Sequence, residues 1–315
     1  MGADRTHILV LNYNGRALLD ECLPSVVKAA ESAPIACCVS VVDNDSHDDS
    51  LDSLAANWPG VNVFQEPNRG LASFNAVLAK VDEPVVLLLN NDVKLDANAV
   101  APLINAMDSH EDALFSAPLC WDFEGTVYEG MRTRVRTRFG LVQGMSRVWG
   151  HENILTKADL TAAAGPVLAV DRVKFLSLGG YDPLYFPGRI EDLDLGFRGW
   201  MAGYSGYYVP ESIAYHRGFG SFGPAFGQSG CDELAARNSL LFAWKNLSGR
   251  RLLGHLAWLP LRLAKGLTPG GAGFPRAFVE ACRRLGPVIK ARRALAVGQG
   301  SWNTRQEAYF ERFRW

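Results

Sequence analysis

The chain has 315 residues, of which 48% are hydrophobic and 21% charged, and its formal net charge is -1. That length fits one large α/β domain with an appendage, or two domains, and the composition excludes a disordered chain. No apolar run approaches the roughly 20 residues that span a bilayer, and Arg5 leads directly into an apolar strand, so neither a membrane span nor a signal peptide is expected.

His7 to Leu11 predicts a first strand ending in Asn12-Tyr13-Asn14-Gly15, followed by a helical pattern over Ala17 to Ala30. Cys37 to Val42 predicts a second strand, ending in Asp43-Asn44-Asp45-Ser46, then a helix from His47 to Asn57. Val61 to Phe64 is a short third strand, Asn68-Arg69-Gly70 a turn, and Leu71 to Lys80 a helix. The fourth strand is the clearest. Val85 to Leu89 are five consecutive apolar residues after Pro84, too short for a typical helix and suited to a central strand covered on both faces. It ends in Asn90-Asn91-Asp92, and a helix from about Asn98 to Met107 follows. The alternation implies a mainly parallel sheet.

Three of these strands end in polar clusters, and parallel strands bring such clusters to one edge, where a nucleotide can lie across them. One carboxylate and two amides at the Asn90-Asn91-Asp92 end suit a hydrated cation and its phosphates; the alternative is that they cap the following helix. Neither G-x-x-x-x-G-K-[ST] nor G-x-G-x-x-G follows the first strand. A nucleotide here is therefore held by side chains and a metal, not by a glycine-rich cradle. The six cysteines (Cys22, Cys37, Cys38, Cys120, Cys231, Cys282) lack C-x-x-C spacing, as in a reduced cytoplasmic protein with no zinc site.

The segments LNYNG (11–15), VVDNDS (41–46), NRGLASFNA (68–76) and LLLNNDV (87–93) resemble successive motifs of the family 2 glycosyltransferases. GPVLAVDR (165–172), GGYDPLYF (179–186), EDLDLGFR (191–198) and Ala214-Tyr215-His216 follow in the same order. The pattern is most similar to bacterial rhamnosyltransferase-like members. The resemblance covers about residues 7–245 and implies a GT-A fold. It divides residues 1–249 into a nucleotide-binding half (about 1–110) and an acceptor-binding half (about 111–249). It also implies an inverting transfer from a dTDP- or UDP-sugar donor, dTDP-rhamnose among them, to a bacterial surface glycan or a lipid-linked glycan acceptor.

The same resemblance assigns roles. Asn12, Tyr13, Asp43, Asn44, Arg69, Asn75, Asn90 and Asn91 would contact the nucleotide-sugar, with Asp43 accepting from the base and Tyr13 packing on it. Asp92 would ligate Mg²⁺ or Mn²⁺ bridging the diphosphate, and His216 would complete that site. The common D-x-D pattern is reduced to one carboxylate because Asn90 stands at its first acidic position. Asp192 would be the general base, with Glu191 orienting it, since an acceptor hydroxyl needs a carboxylate to take its proton. The bland reading of these acids is that they complement a helix N-terminus. Asp194 is expected to face elsewhere. Two rival readings are a nucleotidyltransferase that makes nucleotide-sugars, and a non-catalytic scaffold subunit.

Other features carry paired expectations. Gly165 and Gly179-Gly180 are close-approach positions beside the acceptor or plain turns. Trp200, Tyr204, Tyr207 and Tyr208 are a sugar platform or core packing. Arg132 to Arg138 places four arginines on one strand face, to grip an acidic acceptor or to protect a solvated edge. The net charge hides an asymmetry: residues 1–130 carry 20 Asp/Glu against 6 Lys/Arg, and residues 250–295 carry 10 Lys/Arg against Glu280 alone. Residues 250–315 read as a basic helical extension broken by glycines at Pro269 to Gly273, with a docked aromatic tail from Ser301 to Trp315. Its apolar and basic helices suit an anionic membrane surface, making the protein peripheral on the inner face of the plasma membrane; a helical cap or a homodimer interface is the alternative. No motif supports nucleic acid as a partner.

Overall fold

The computed structural model describes residues 5–218, 222–266, 268 and 273–315; of the expected glycine-rich break, Pro269 to Ala272 lies outside them. The elements run β1 (Arg5–Asn12), α1 (Arg16–Ser32), β2 (Ala36–Asp43), α2 (Ser50–Asn57), β3 (Asn62–Gln65), α3 (Ser73–Leu78), β4 (Val85–Asn90), β5 (Val93–Leu95) and α4 (Val100–Ser109). Then come β6 (Ala113–Trp121), β7 (Tyr128–Gly130), β8 (Arg134–Arg138), β9 (Leu141–Met145), β10 (Asp159–Leu160), β11 (Val167–Asp171), α5 (Arg172–Ser177), α6 (Glu191–Ala202) and β12 (Ser205–His216). The chain closes with α7 (Phe222–Asn246, interrupted at Gly227), α8 (Gly249–Gly266), α9 (Gly273–Cys282), α10 (Leu285–Ala294) and α11 (Trp302–Arg312).

The main sheet has the order β10-β12-β6-β11-β4-β1-β2-β3. β1 pairs in parallel with both β2 and β4, and β2 with β3. β11 alone in the middle runs antiparallel, to β4 and to β6. The expected mainly parallel sheet is therefore present, with a reversed strand at its centre, and short antiparallel strands β5, β7 and β10 at its side, that the sequence pattern did not announce. Val85 to Leu89 of β4 are all buried, as a run apolar on both faces requires.

The first core surrounds this sheet and includes Ile8, Val41, Leu87, Phe115, Val167 and Phe175. A second core joins α6 (Leu193, Phe197) and α7 (Leu241, Phe242) to α10 (Val288) and α11 (Tyr309, Phe310). Residues on both sides of position 250 thus share one core, and the aromatic tail is packed rather than free. Phe197 is the hub, with its ring 5.4 Å from Phe242 and 5.0 Å from Tyr309 in edge-on contacts.

The arginine strand serves that packing. The β8–β9 pair forms its own small sheet. Val135 N donates to Phe313 O at 2.7 Å, and the Arg136 guanidinium lies 3.6 Å from the Trp315 ring centroid. Arg132 and Arg134 pair with Asp159 at 2.5 and 3.0 Å, and Arg312 pairs with the same carboxylate. Arg132 and Arg134 are therefore occupied with protein groups, which corrects the expectation of a face gripping an acidic acceptor. The aromatic platform is corrected likewise. Trp200 donates to Arg305 O, Tyr207 to Asp112 and Tyr208 to Leu155 O, so these three side chains pack.

Candidate active site

Strand register assembles one side of the site. Asn12 lies opposite Asp43 at the end of the β1–β2 pair, and Leu11 lies opposite Asn90 at the end of β1–β4. The three polar strand ends thus share one edge of the sheet. Asn12 is fully buried; its Nδ2 donates to Asp43 Oδ1 (3.3 Å) and Ser46 Oγ (3.2 Å), and its Oδ1 accepts from Asn91 Nδ2 (2.8 Å). Ser46 N donates to Asp43 Oδ2 at 3.0 Å, closing the turn after β2. Buried amides and carboxylates in a chain of this kind hold one another rigidly. A carboxylate has about four acceptor positions, so Asp43 keeps capacity for another donor. Gly15 is required beside this chain, because a Cβ there would collide with the Asn91 amide. Tyr13, at 43% exposure, stands open at the end of β1.

Asp92 follows in the turn between β4 and β5. The helix-cap alternative fails here, since the next element is a strand and α4 begins only at Val100. β5 pairs antiparallel with β12, setting Val93 opposite His216. This pairing brings a residue 124 positions downstream beside Asp92: His216 Nε2 lies 3.5 Å from Asp92 Oδ2. On its other side His216 Nδ1 lies 3.7 Å from Glu129 Oε2, on β7. Burial disfavours the His216 cation, but hydrogen bonding to Asp92 and Glu129 outweighs it and pushes the pKa up to about 9.

Asp92 Oδ1 is buried and has no hydrogen-bond partner among the described residues. One orphaned carboxylate oxygen beside one imidazole fits the protein's share of a divalent-cation site. Among the described residues no group of three or more His, Cys, Asp and Glu forms a complete ligand set. A cation held by Asp92 and His216 would therefore need further oxygens from a ligand such as a diphosphate.

The other side of the site is the loop before α6. Arg189 and Ile190 both have positive φ, 79° and 75°, and turn the chain so that Glu191 and Asp192 open the helix. Such angles are strained for β-branched and bulky residues and persist only where neighbours impose them. The neighbours are on α7. Asn238 Nδ2 donates to the carbonyls of Tyr185, Gly188 and Arg189, at 2.7 to 2.8 Å. Arg237 donates to Phe186 O at 2.7 Å.

Beneath the loop, Asp194 is fully buried and receives Lys245 Nζ at 2.9 Å, Arg198 Nε at 2.6 Å, Asn246 Nδ2 at 2.7 Å and the Tyr185 hydroxyl at 2.8 Å. Lys245 also donates to Asp182 at 2.6 Å. Burial alone would raise the Asp194 pKa, but Lys245 and Arg198 hold it well below the usual carboxylate range. Glu191 and Asp192 differ. Burial raises both above that range, and the charge of Asp192 raises Glu191 further. Glu191 Oε2 is buried with no hydrogen-bond partner among the described residues.

The two sides meet. Arg69 and Glu191 line one small cavity, together with Tyr181, Phe186 and Pro187. Gly70 explains the close approach: a Cβ there would sit 2.8 Å from Pro187 O. Asn44 Nδ2 donates to Gly70 O at 3.2 Å, tying the β2 end to the same turn.

Comparison with known proteins agrees with this geometry. The sequence model of the family described as "Glycosyl transferase family 2" matches residues 7–169, more than half of the chain. The chain belongs to glycosyl transferase family 2. The N-acetylglucosaminyl-diphospho-decaprenol L-rhamnosyltransferase of Mycobacterium tuberculosis is 25% identical over 66% of this chain and 75% of its own length. Human N-acetylgalactosaminyltransferase 7 is 26% identical over 66% of this chain, but only 35% of its own length is matched.

Solved structures show the same GT-A fold in this family 2 glycosyltransferase. GalNAc-T7 with UDP, GalNAc and Mn²⁺ matches with a TM-score of 0.54 at 23% identity, over 67% of this chain and 43% of that one. The mannosyltransferase of Pyrobaculum calidifontis with GDP-Man and Mn²⁺ matches with a TM-score of 0.52 at 17% identity, over 98% of this chain and 87% of that one. S. aureus TarS residues 1–349 with UDP-GlcNAc gives 0.54 at 15% identity, over 97% and 89%.

Within this glycosyltransferase, the expected residues separate into groups. Asn12, Asp43 and Asn91 form one hydrogen-bonded chain, and Asn44 joins it by donating its backbone N–H to Asn12 O at 2.8 Å. Asn90 anchors its backbone N–H on Pro166 O, and its side chain is half-buried. Asn75 departs from its expected role in contacting the nucleotide-sugar. Its amide is spent on the backbone of Tyr181, accepting at 2.9 Å and donating at 2.8 Å. It fastens α3 to the loop leading to Glu191. Gly180, with φ +66°, is needed there because a Cβ would collide with the Asn75 amide.

Sequence reading missed Glu129, Arg237, Asn238 and Lys245. Glu129 lies in no motif, and only the β6–β7 pairing delivers it to His216. Lys245 left one trace, a lysine directly after the apolar run Leu240 to Trp244.

Proposed function

We propose that this chain transfers a sugar from a nucleotide diphosphate donor to a hydroxyl of a glycan or lipid-linked glycan, with inversion at the anomeric carbon. The observation that carries this reading is the close approach of the Arg69–Gly70 turn, from the nucleotide-binding half, to the segment leading to Glu191, from the acceptor half. Asn12, Tyr13, Asp43, Asn44, Asn90 and Asn91 hold the nucleoside end of the donor along the strand ends, and Arg69 neutralises the diphosphate. Asp92 and His216 hold Mg²⁺ or Mn²⁺, which when bound stabilises the charge growing on the departing diphosphate.

Asp192 takes the proton from the acceptor hydroxyl as its oxygen bonds to C1. The electron pair of the C1–O bond leaves with the diphosphate, and attack from the opposite face inverts the centre. Glu191, whose raised pKa keeps it protonated longer on rising pH, orients Asp192 or the acceptor. The Mycobacterium tuberculosis relative, by its name a rhamnosyltransferase acting on a decaprenol-linked sugar, supports a rhamnosyl donor, dTDP-rhamnose in this reading, and a lipid-linked acceptor. UDP-sugars remain the second donor class, because UDP accompanies two of the structural neighbours.

A panel of dTDP-, UDP- and GDP-sugars, screened by thermal shift and donor hydrolysis with and without Mn²⁺, tests the reading. Stabilisation and turnover with one donor class only when metal is present are expected. Metal-independent turnover would remove Asp92 and His216 from their assigned role, and no response to any donor would remove the function.

A further inference from the structure

We propose that the outer face of α8 docks on the anionic surface of a lipid bilayer. At about 100° per residue, Leu253, Leu256, Ala257, Pro260, Leu261 and Ala264 fall on one stripe, and every one of them is exposed. Leu253 is 68% and Leu261 61% exposed. The opposite side of α8 is already used: His255 is buried, and Leu252 and Leu259 pack on the second core. The helix is thus apolar on two sides, one anchoring it to the protein and one facing out.

The open side continues into the β8–β9 turn. Trp258 and Phe139 are both exposed and meet edge-on with ring centroids 5.2 Å apart. This junction is fixed from below, where His255 Nδ1 donates to Gly140 O at 2.7 Å, its Nε2 accepting from Trp244. Arg262 Nη2 donates to Arg138 O at 2.9 Å. The platform that presents the apolar stripe is therefore built into the fold.

Charge decides what covers it. The helical spacing sets Lys265 on one flank of the stripe, where it is exposed, and Arg250, also exposed, shares Glu307 with Arg251. Across residues 250–295 there are 10 Lys/Arg against one acidic residue. A second copy docking the same face about a twofold axis would set these cationic flanks near each other. An anionic leaflet complements them. Among the described residues no helix is long and apolar enough to cross a membrane, so α8 would lie in the interface plane. The inference stands apart from the transferase reading, since binding is measured without donor or acceptor.

Flotation of the full chain with phosphatidylglycerol–phosphatidylcholine vesicles, against phosphatidylcholine alone, tests it. We expect flotation with the anionic vesicles only, weakened by salt. The double variant Leu253→Glu/Leu261→Glu should lower vesicle affinity at least about tenfold, with unchanged circular dichroism, because both side chains are exposed. Lys265→Glu should lower it less. Failure to float, or flotation unaffected by the double variant, overturns the proposal. A dimer detected by light scattering and dissolved by the double variant would also overturn it, by giving the face to a second copy.

Discussion

The two halves of the site handle their carboxylates in opposite ways. At the strand ends, Asp43 sits in a chain of neutral amides and hydroxyls, and Asp92 faces the His216 imidazole. At the start of α6, Glu191 and Asp192 are half-buried side by side with their pKa values raised, while Asp194, two residues on, is held low by Lys245 and Arg198. The same side-chain chemistry thus meets amides, hydroxyls and an imidazole in one region and a neighbouring acid in the other, where the proposed role is to accept a proton. Environments that push the pKa values of neighbouring acids apart mark the division of labour between them.

The sharpest break of this comparison is Asp192→Asn. It should lower kcat by roughly 10²–10⁴-fold, the usual share of a general base, while donor affinity stays similar; near-normal turnover would reassign the proton acceptor. Next is Lys245→Met, which leaves Asp194 buried with one cation fewer. Breaking a buried pair costs about 3–5 kcal/mol, and a urea midpoint equal to the parent's would show the network to be dispensable. Asp194 has a lowered folded pKa, so the stability it contributes is present above its unfolded pKa and lost as pH falls; Lys245→Met should flatten that acid slope.

Gly15→Ala tests the strand-end chain. The added methyl displaces the Asn91 amide and should cost about 1–3 kcal/mol of stability, with weaker donor binding by calorimetry. Smallest is a shift rather than a loss. Because burial raises the Asp192 pKa and the base must be ionised, the acid limb of kcat/KM should lie above the ordinary carboxylate range. A limb at about pH 4, where an unperturbed aspartate titrates, would mean that Asp192 is solvated when it works.

Much of the strand-end half was legible in the sequence. Polar residues directly after apolar runs are local signals, and a parallel sheet converts them into one edge. The α6 half was legible only as far as Glu191 and Asp192. What holds these acids comes from α7, some 50 residues later, where Arg237, Asn238 and Lys245 look like ordinary polar residues of a helix. Asp194 was read as facing elsewhere, which is correct, but its role as the anchor of a buried charge network depends on tertiary contacts that no spacing encodes. The arginine strand misled for a related reason: alternation fixes which residues share a face, not what that face meets.

Arg237 and Asn238 grip the 185–189 loop by its carbonyl oxygens, not by its side chains. A clamp on the main chain is indifferent to what the loop residues are. Relatives could therefore exchange the loop's outward residues to suit a new acceptor while the two acids stay where they are, so divergence in recognition need not erode the chemistry.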